Sequence, residues 1–269
     1  MNVRKIMAAL GLFIFGGWNM AEARTEAEIF FKKEPYISAA AAITAGDIRM
    51  LERLIAGGLD VNFEGPDSDT PWGKDTLTLL LWAELHENIP AMEALLKAGA
   101  NPDSGSRRGL TPLVDSCVRE RGDIFEMLLA KYGANPNAIF DNGIRETALT
   151  LVLKEWKLGD ERWKRATSLL QHGADINLDL DRGETAVISV SILAHWRAVL
   201  WLLEHGANYE VRGRIATMMG YLRHSYETDA LQPSEEYTYR DKVRDWLLAH
   251  DVERSRIDPA LPLDPKYKD

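Results

Sequence analysis

Cysteine is nearly missing from this 269-residue chain. Cys117 is the single copy, so no internal disulfide can form, even in a compartment that would permit one. With no basic neighbour of known geometry, Cys117 reads as a small buried apolar residue. Positive charge is also scarce: 32 Lys and Arg stand against 41 Asp and Glu, a formal net charge of −9. That balance argues against nucleic acid and anionic lipid as the main partner. The apolar run from Ile6 to Trp18 counts 13 residues, short of the roughly 20 a membrane-spanning helix needs, and no stable membrane insertion is expected. Catalytic motifs are missing too. Ser116, in Asp115-Ser116-Cys117-Val118, lacks the glycines of a nucleophile elbow. The acidic clusters Asp179-Asp181 and Glu235-Glu236 lack calcium-loop spacing. No metal and no cofactor are expected, and the chain reads as a non-enzyme.

What the sequence does contain is repetition. Ile55-Ala56-Gly57-Gly58-Leu59-Asp60-Val61-Asn62 returns as Leu95-Leu96-Lys97-Ala98-Gly99-Ala100-Asn101-Pro102-Asp103, then around Gly133, Gly173 and Gly206. These glycines lie 41, 34, 40 and 33 residues apart, so two intervals sit near 33 and two carry insertions. In Ile48 to Ile55 the apolar residues follow helical spacing, and Gly57-Gly58 stops the helix where a left-handed residue is needed. Asn88 before Ile89-Pro90 reads as an N-cap with proline in the first turn. His172, His205 and His250 all fall just before a stop position, which makes them copies of one helix C-terminal site rather than metal ligands.

Phrase and period together are similar to the ankyrin repeat family. Thr111-Pro112-Leu113 matches its inner-helix opening, with Thr147-Ala148-Leu149 and Thr185-Ala186-Val187 as weaker copies. The histidine that follows in consensus repeats is replaced by Val114, Thr150 and Ile188, which predicts less stable repeats. The resemblance implies an all-α repeat solenoid of helix pairs with short β-hairpin fingers. About five to six repeats are expected over residues 37–252, with insertions at 63–75, 155–163 and 224–239 and a Pro-rich tail at 253–269. Tyr36 to Ala45 is expected to cap the first end and Val243 to His250 the last, with Asp251 in the stop position. Proline at every third position of the tail predicts an extended segment.

The first residues carry a different signal. Arg4-Lys5 precede the apolar run, and Ala21-Glu22-Ala23 offers small residues at the two positions a signal peptidase reads. Residues 1–23 are therefore expected to be a signal peptide cleaved after Ala23. Residues 24–36 would form an N-terminal extension of a periplasmic protein, whose mature net charge would be −10, because the leader carries a net +1.

With no chemistry in the fold, function is sought on its surface. Ankyrin proteins bind partners through their fingers and the concave face of the inner helices. Counting from the stop glycines places the fingers at Phe63 to Lys74, Ser104 to Arg108, Ile139 to Arg145, Leu178 to Arg182 and Val211 to Arg214. Arg107, Arg108, Arg145, Arg182 and Arg212 recur along that edge with Trp72 and Phe140 between them. This is the composition of interface hot spots. Tyr226 and Tyr237, in the last insertion, form a second candidate contact. An exported ankyrin protein without catalytic motifs resembles the periplasmic immunity proteins paired with lipase effectors of type VI secretion. It also resembles periplasmic ankyrin scaffolds that support catalase and oxidative-stress defence. The first resemblance implies a toxin enzyme as the protein partner, bound and inhibited sterically. An envelope hydrolase using His224 with a carboxylate is the third reading.

Overall fold

The computed structural model describes residues 19–66, 68–70, 73–119, 122–155, 159–228, 235–263 and 267. The chain divides into two compact units, residues 1–148 and 149–269.

Unit 1 begins with α1 (Met20–Phe30), whose N-cap Asn19 accepts the Ala21 and Glu22 amides. Three helix pairs follow. They are α2 (Tyr36–Ala45) with α3 (Ile48–Ala56), α4 (Leu79–Leu85) with α5 (Ile89–Lys97), and α6 (Pro112–Val118) with α7 (Gly122–Glu126). Inner helices stack on inner helices (α2 on α4, α4 on α6), and α3 packs on α5, so the apolar faces form one continuous core. The expected first cap, Tyr36 to Ala45, is the helix observed, but it is the inner member of a pair. The helix closing this end is α1, which buries Ala23, Ala27 and Phe30 against it. The expected cleavage point after Ala23 lies inside α1, and residues 1–18 of the leader lie outside the described residues.

Caps fall where side-chain oxygens were expected. Asn88 Oδ1 accepts the Ala91 amide at 3.0 Å, and Thr111 Oγ1 accepts that of Val114 at 3.2 Å. Asn88 also donates from Nδ2 to the Ile43 carbonyl at 2.7 Å, so one side chain both starts α5 and ties it to α2. Asp123 lies inside the first turn of α7 and accepts the amide of Ile124 beside it.

The stop glycines all take positive φ: Gly58 91°, Gly99 94°, Gly133 64°, Gly173 90° and Gly206 91°. Asp251 takes the same conformation at φ 61°, as its position in the phrase requires. Past each stop an amide returns to the carbonyl five residues back, as in Leu59 to Leu54, Ala100 to Leu95, Ala174 to Leu169, Ala207 to Leu202 and Val252 to Leu247. One copy differs. Ala134 reaches back six residues to Leu128. Leu-Leu is followed by two residues before glycine in the other Leu-Leu copies, but Ala130-Lys131-Tyr132 inserts a third here. The surplus residue is absorbed as a π-helical turn over Met127–Lys131, keeping Leu128 and Leu129 buried.

The recurrent Asx residues have a physical cause. The first Asx of each phrase accepts the amide two residues on, as Asp60 does from Asn62 and Asn101 from Asp103, both at 3.0 Å. The second reaches the next repeat: Asn62 Oδ1 accepts the Asn101 amide at 2.8 Å, and Asp103 Oδ1 the Asn135 amide at 2.6 Å. The phrase is therefore a hydrogen-bonded seam between repeats.

Unit 2 contains α9 (Glu161–Gln171), the pair α10 (Ala186–Ile192) and α11 (Trp196–Glu204), and the pair α12 (Met218–Thr228) and α13 (Glu235–Ala249). Helix α8 (Ala148–Lys154) begins at the boundary of the units. The expected insertion at 224–239 is helical where described, lengthening α12 and α13. The C-terminal tail is not extended over its described part. A 3₁₀ turn, Arg254–Arg256, and a turn closed by the Leu261 amide on the Asp258 carbonyl at 3.1 Å fold it back on α12.

Candidate partner-binding surface

The fingers form in the expected places. In unit 1 a hairpin pairs β1 (Ser68–Thr70) with β2 (Gly73–Asp75), and a second pairs β3 (Phe140–Asp141) with β4 (Arg145–Glu146). Between them a turn at 104–110 is closed by Ser106 N on Leu110 O at 2.9 Å. In unit 2 the Leu180 amide bonds Glu184 O at 3.0 Å, and Arg212 bridges Thr217.

Neighbouring fingers are joined by bonds from backbone amides. The Asp141 amide donates to the Arg108 carbonyl at 2.8 Å, and the Arg107 amide to Thr76 Oγ1 at 3.1 Å. The approach is close enough that a Cβ on Gly109 would lie 2.0 Å from the Ile139 carbonyl oxygen, and one on Gly183 1.9 Å from that of Arg212. Only glycine fits there. The finger tips of each unit are thus held by a rigid base.

Among the expected contact residues, Arg107, Arg145, Arg182 and Arg212 are exposed and Arg108 is half-buried. Arg214 is exposed but ion-paired with Asp181. The expected aromatic contacts differ in their surroundings. Phe140 is buried at 8% exposure and anchors its hairpin from beneath. Tyr226 donates from its hydroxyl to Asp241 at 2.6 Å with the Arg240 guanidinium over its ring, and the same guanidinium covers Tyr237. Both tyrosines are half-buried, and Tyr226 joins α12 to α13. Trp72 lies outside the described residues.

Sequence reasoning passed over two finger residues. Ile144, at the tip of the β3–β4 hairpin, is 67% exposed, and Ile215, in the last finger, is 76% exposed. They are the most exposed large apolar side chains among the described residues. Each sits beside glycine and arginine, in Gly143-Ile144-Arg145 and Gly213-Arg214-Ile215. The signal was an isoleucine where a tight turn favours polar residues.

The inner helices offer less than the fingers. Every residue of α4 is buried, and so are Ala186 to Ser191 of α10. Burial on α4 includes Glu84, 3.9 Å from Arg119 and facing Asp115. Desolvation and then the Asp115 charge push the Glu84 carboxyl well above the usual range.

The three terminal histidines behave as one repeated device. Nδ1 of His172, His205 and His250 lies 2.8, 2.7 and 2.7 Å from the carbonyl four residues back. His205 and His250 also stack on Trp201 and Trp246. Cys117 is buried, with Sγ 3.1 Å from the Leu113 carbonyl. Among the described residues no helix is long and apolar enough to cross a membrane, and no group of His, Cys, Asp and Glu is arranged to hold a metal.

Comparison with known proteins bears on the architecture. A search of curated proteins gives no match. Among solved structures, the ankyrin repeat domain of Bcl-3, described as a unique member of the IkappaB protein family, aligns with a TM-score of 0.49. Identity is 22%, over 68% of this chain and 77% of that one. Residues 37–139 match the family model for ankyrin repeats in three copies. With the helix pairs, fingers and hydrogen-bonded seam described above, the fold is the ankyrin repeat fold, and its repeats make this chain a protein-interaction module.

Proposed function

We propose that the finger tips are the contact surface, and that the module serves as an exported immunity protein. It binds a toxin enzyme, of the lipase class delivered by type VI secretion, and inhibits it by covering the route to its active site. The observation that carries the contact surface is the exposure of Ile144 and Ile215 on rigid fingers beside arginine. Arg145 and Arg182 add exposed charge that no described carboxylate neutralises. An apolar tip flanked by guanidinium groups suits a pocket with an acidic rim, and such residues dominate interface energetics. Export is supported by the basic, apolar and Ala-x-Ala order of the leader. The toxin as partner rests on the family resemblance of an exported repeat protein.

Co-purification with the product of the adjacent gene tests the partner. A secreted lipase retained by the wild-type chain and inhibited in its esterase activity supports immunity. A retained catalase, with no effect on any lipase, replaces that reading by the stress-defence scaffold. Calorimetric titration of Ile144→Asp and Arg145→Glu against the retained partner tests the surface. We expect a loss of about 2 kcal/mol, or roughly thirtyfold in affinity, from at least one of them. Unchanged affinity in both moves the contact off the β3–β4 finger. N-terminal sequencing of exported protein tests the compartment, with Arg24 as the expected first residue.

A further inference from the structure

The seam between repeats ends in an exchange of partner. At the copies carrying Asn62, Asp103 and Asn177, the second Asx of the phrase accepts a backbone amide of the following repeat. Within unit 2, Asn177 Oδ1 takes the Asn208 amide at 2.7 Å. The same position in the copy around Gly206 is Glu210, and the phrase that follows it runs Asp251-Val252-Glu253. Its two carboxylate oxygens accept Nη1 and Nη2 of Arg256 at 2.8 and 2.7 Å. A C-terminal side chain is bound where the other copies bind a backbone amide.

A second arginine holds the same segment from the opposite direction. On α12, Arg223 donates from Nη1 to the carbonyls of Ser255 and Asp258 at 2.7 and 2.8 Å, and from Nη2 to those of Pro259 and Leu261 at 3.2 and 2.8 Å. The four N–H bonds of its terminal nitrogens are all used, and Nε faces Glu227 at 3.5 Å. The segment is shaped to present those carbonyls: the Asp258 carboxylate accepts the Ala260 amide at 2.9 Å and its carbonyl the Leu261 amide. Ile257 is buried at 1% exposure, yet a cavity of about 160 Å³ remains beneath the segment, lined by Tyr226, Arg244, Leu248 and Ile257.

We propose that residues 253–263 are a strap across the last helix pair, α12 and α13. It is fastened by Arg223 and Arg256 and releases without unfolding the helices under it. A repeat closes its neighbour with a broad apolar face, whereas this segment closes it with one buried isoleucine and two guanidinium forks beside a half-open pocket. Polar pins of this kind can open while the stack below stays intact. Arg223 is a positioning residue whose planar fork is required, since an ammonium cannot reach four carbonyls in that geometry.

Hydrogen exchange of the full chain, compared with a synthetic peptide of residues 253–269, tests this. In the wild type, the amides of Arg256, Ile257, Asp258 and Leu261 should exchange at least tenfold more slowly than in the peptide. Arg223→Ala and Arg223→Lys should each remove most of that protection, and Arg256→Ala part of it, while amides of α11 and α13 keep theirs. Peptide-like exchange of the segment in the wild type overturns the strap, as does full protection in Arg223→Ala. Loss of protection in α12 and α13 together with the segment overturns its independence and makes it part of the core.

Discussion

The two ends of the chain are closed by opposite chemistry. At the start, α1 lies on α2 and buries Ala23, Ala27, Phe30 and Phe31. Phe30 and Phe31 place their rings 5.1 and 5.8 Å from Trp82, whose indole N–H is shared between the Ala40 carbonyl and Thr44 Oγ1, each at 3.1 Å. At the finish, the strap buries one isoleucine and relies on arginine bonded to carbonyls and to a half-exposed carboxylate. Apolar burial contributes about 25 cal/mol per Å² and welds a cap to its neighbour. A hydrogen bond exchanged with water contributes about 1 kcal/mol and leaves the cap separable. The first end is therefore part of the folding unit, and the last is an attachment to it.

The largest effect expected is at the first end. Phe31→Ala removes a fully buried ring from the contact with Trp82 and should cost about 3–5 kcal/mol by urea denaturation. A loss under about 1 kcal/mol would mean that α1 is not welded on, and the contrast between the ends would fail.

Next comes the polar pair buried under the same helix. Glu26 Oε2 lies 3.7 Å from His86 Nε2, both side chains within 6% exposure. Burial pushes Glu26 up to about 7 and His86 down to about 4, so between those values the pair keeps its proton on the carboxyl. The raised carboxyl destabilises the fold as pH climbs from 4.5 through 7, and the depressed imidazole does so as pH falls from 6.5 towards 4. Stability should peak between those limits. Glu26→Gln, which mimics the neutral acid, should stabilise the protein by on the order of 3 kcal/mol at pH 8 and by almost nothing below pH 4.5. Melting curves at the two pH values measure it, and an equal gain at both would remove the titration from the explanation.

How much of this could be read from the chain depended on whether the signal was periodic. Stop glycines, N-caps, fingers and the histidine positions recur, and each recurrence checks the others. Single events left weaker traces. The surplus residue at Ala130-Lys131-Tyr132 was present in the sequence but reads as ordinary helix until the amide of Ala134 is seen to reach back six residues. Glu84, in an apolar helix, gave no hint that Asp115 and Arg119 would face it from the next repeat, because that contact is set by stacking. On the surface, composition identified the arginines, but it could not separate an exposed aromatic from a buried one. Phe140 and Tyr226 were therefore assigned to a partner although the fold itself uses them.

At the last end the effect should be smaller. Arg256→Ala deletes a bidentate pair whose Glu210 side chain is 51% exposed, and solvent screening limits the cost to about 1 kcal/mol or less. The Glu210→Gln and Arg256→Ala double-mutant cycle isolates the pair. A coupling above about 3 kcal/mol would place this closure in the same class as the first.

The smallest effect on stability is expected at the finger tips, which belong to neither closure. Ile215 is 76% exposed and Ile144 67%. Replacing either with serine removes little buried surface and should change the free energy of unfolding by under about 0.5 kcal/mol. Neither isoleucine packs under a neighbouring finger, where Gly109 and Gly183 make the close approaches. The fold therefore has no evident need for an apolar side chain at either tip, and desolvation against a partner would supply one. Urea denaturation of both serine variants, alongside titration against the partner, separates the two roles. Stability held within that limit with affinity reduced tenfold or more assigns the isoleucines to binding. A drop in stability of about 2 kcal/mol would assign them to finger packing and return the search for the contact surface to the arginines alone.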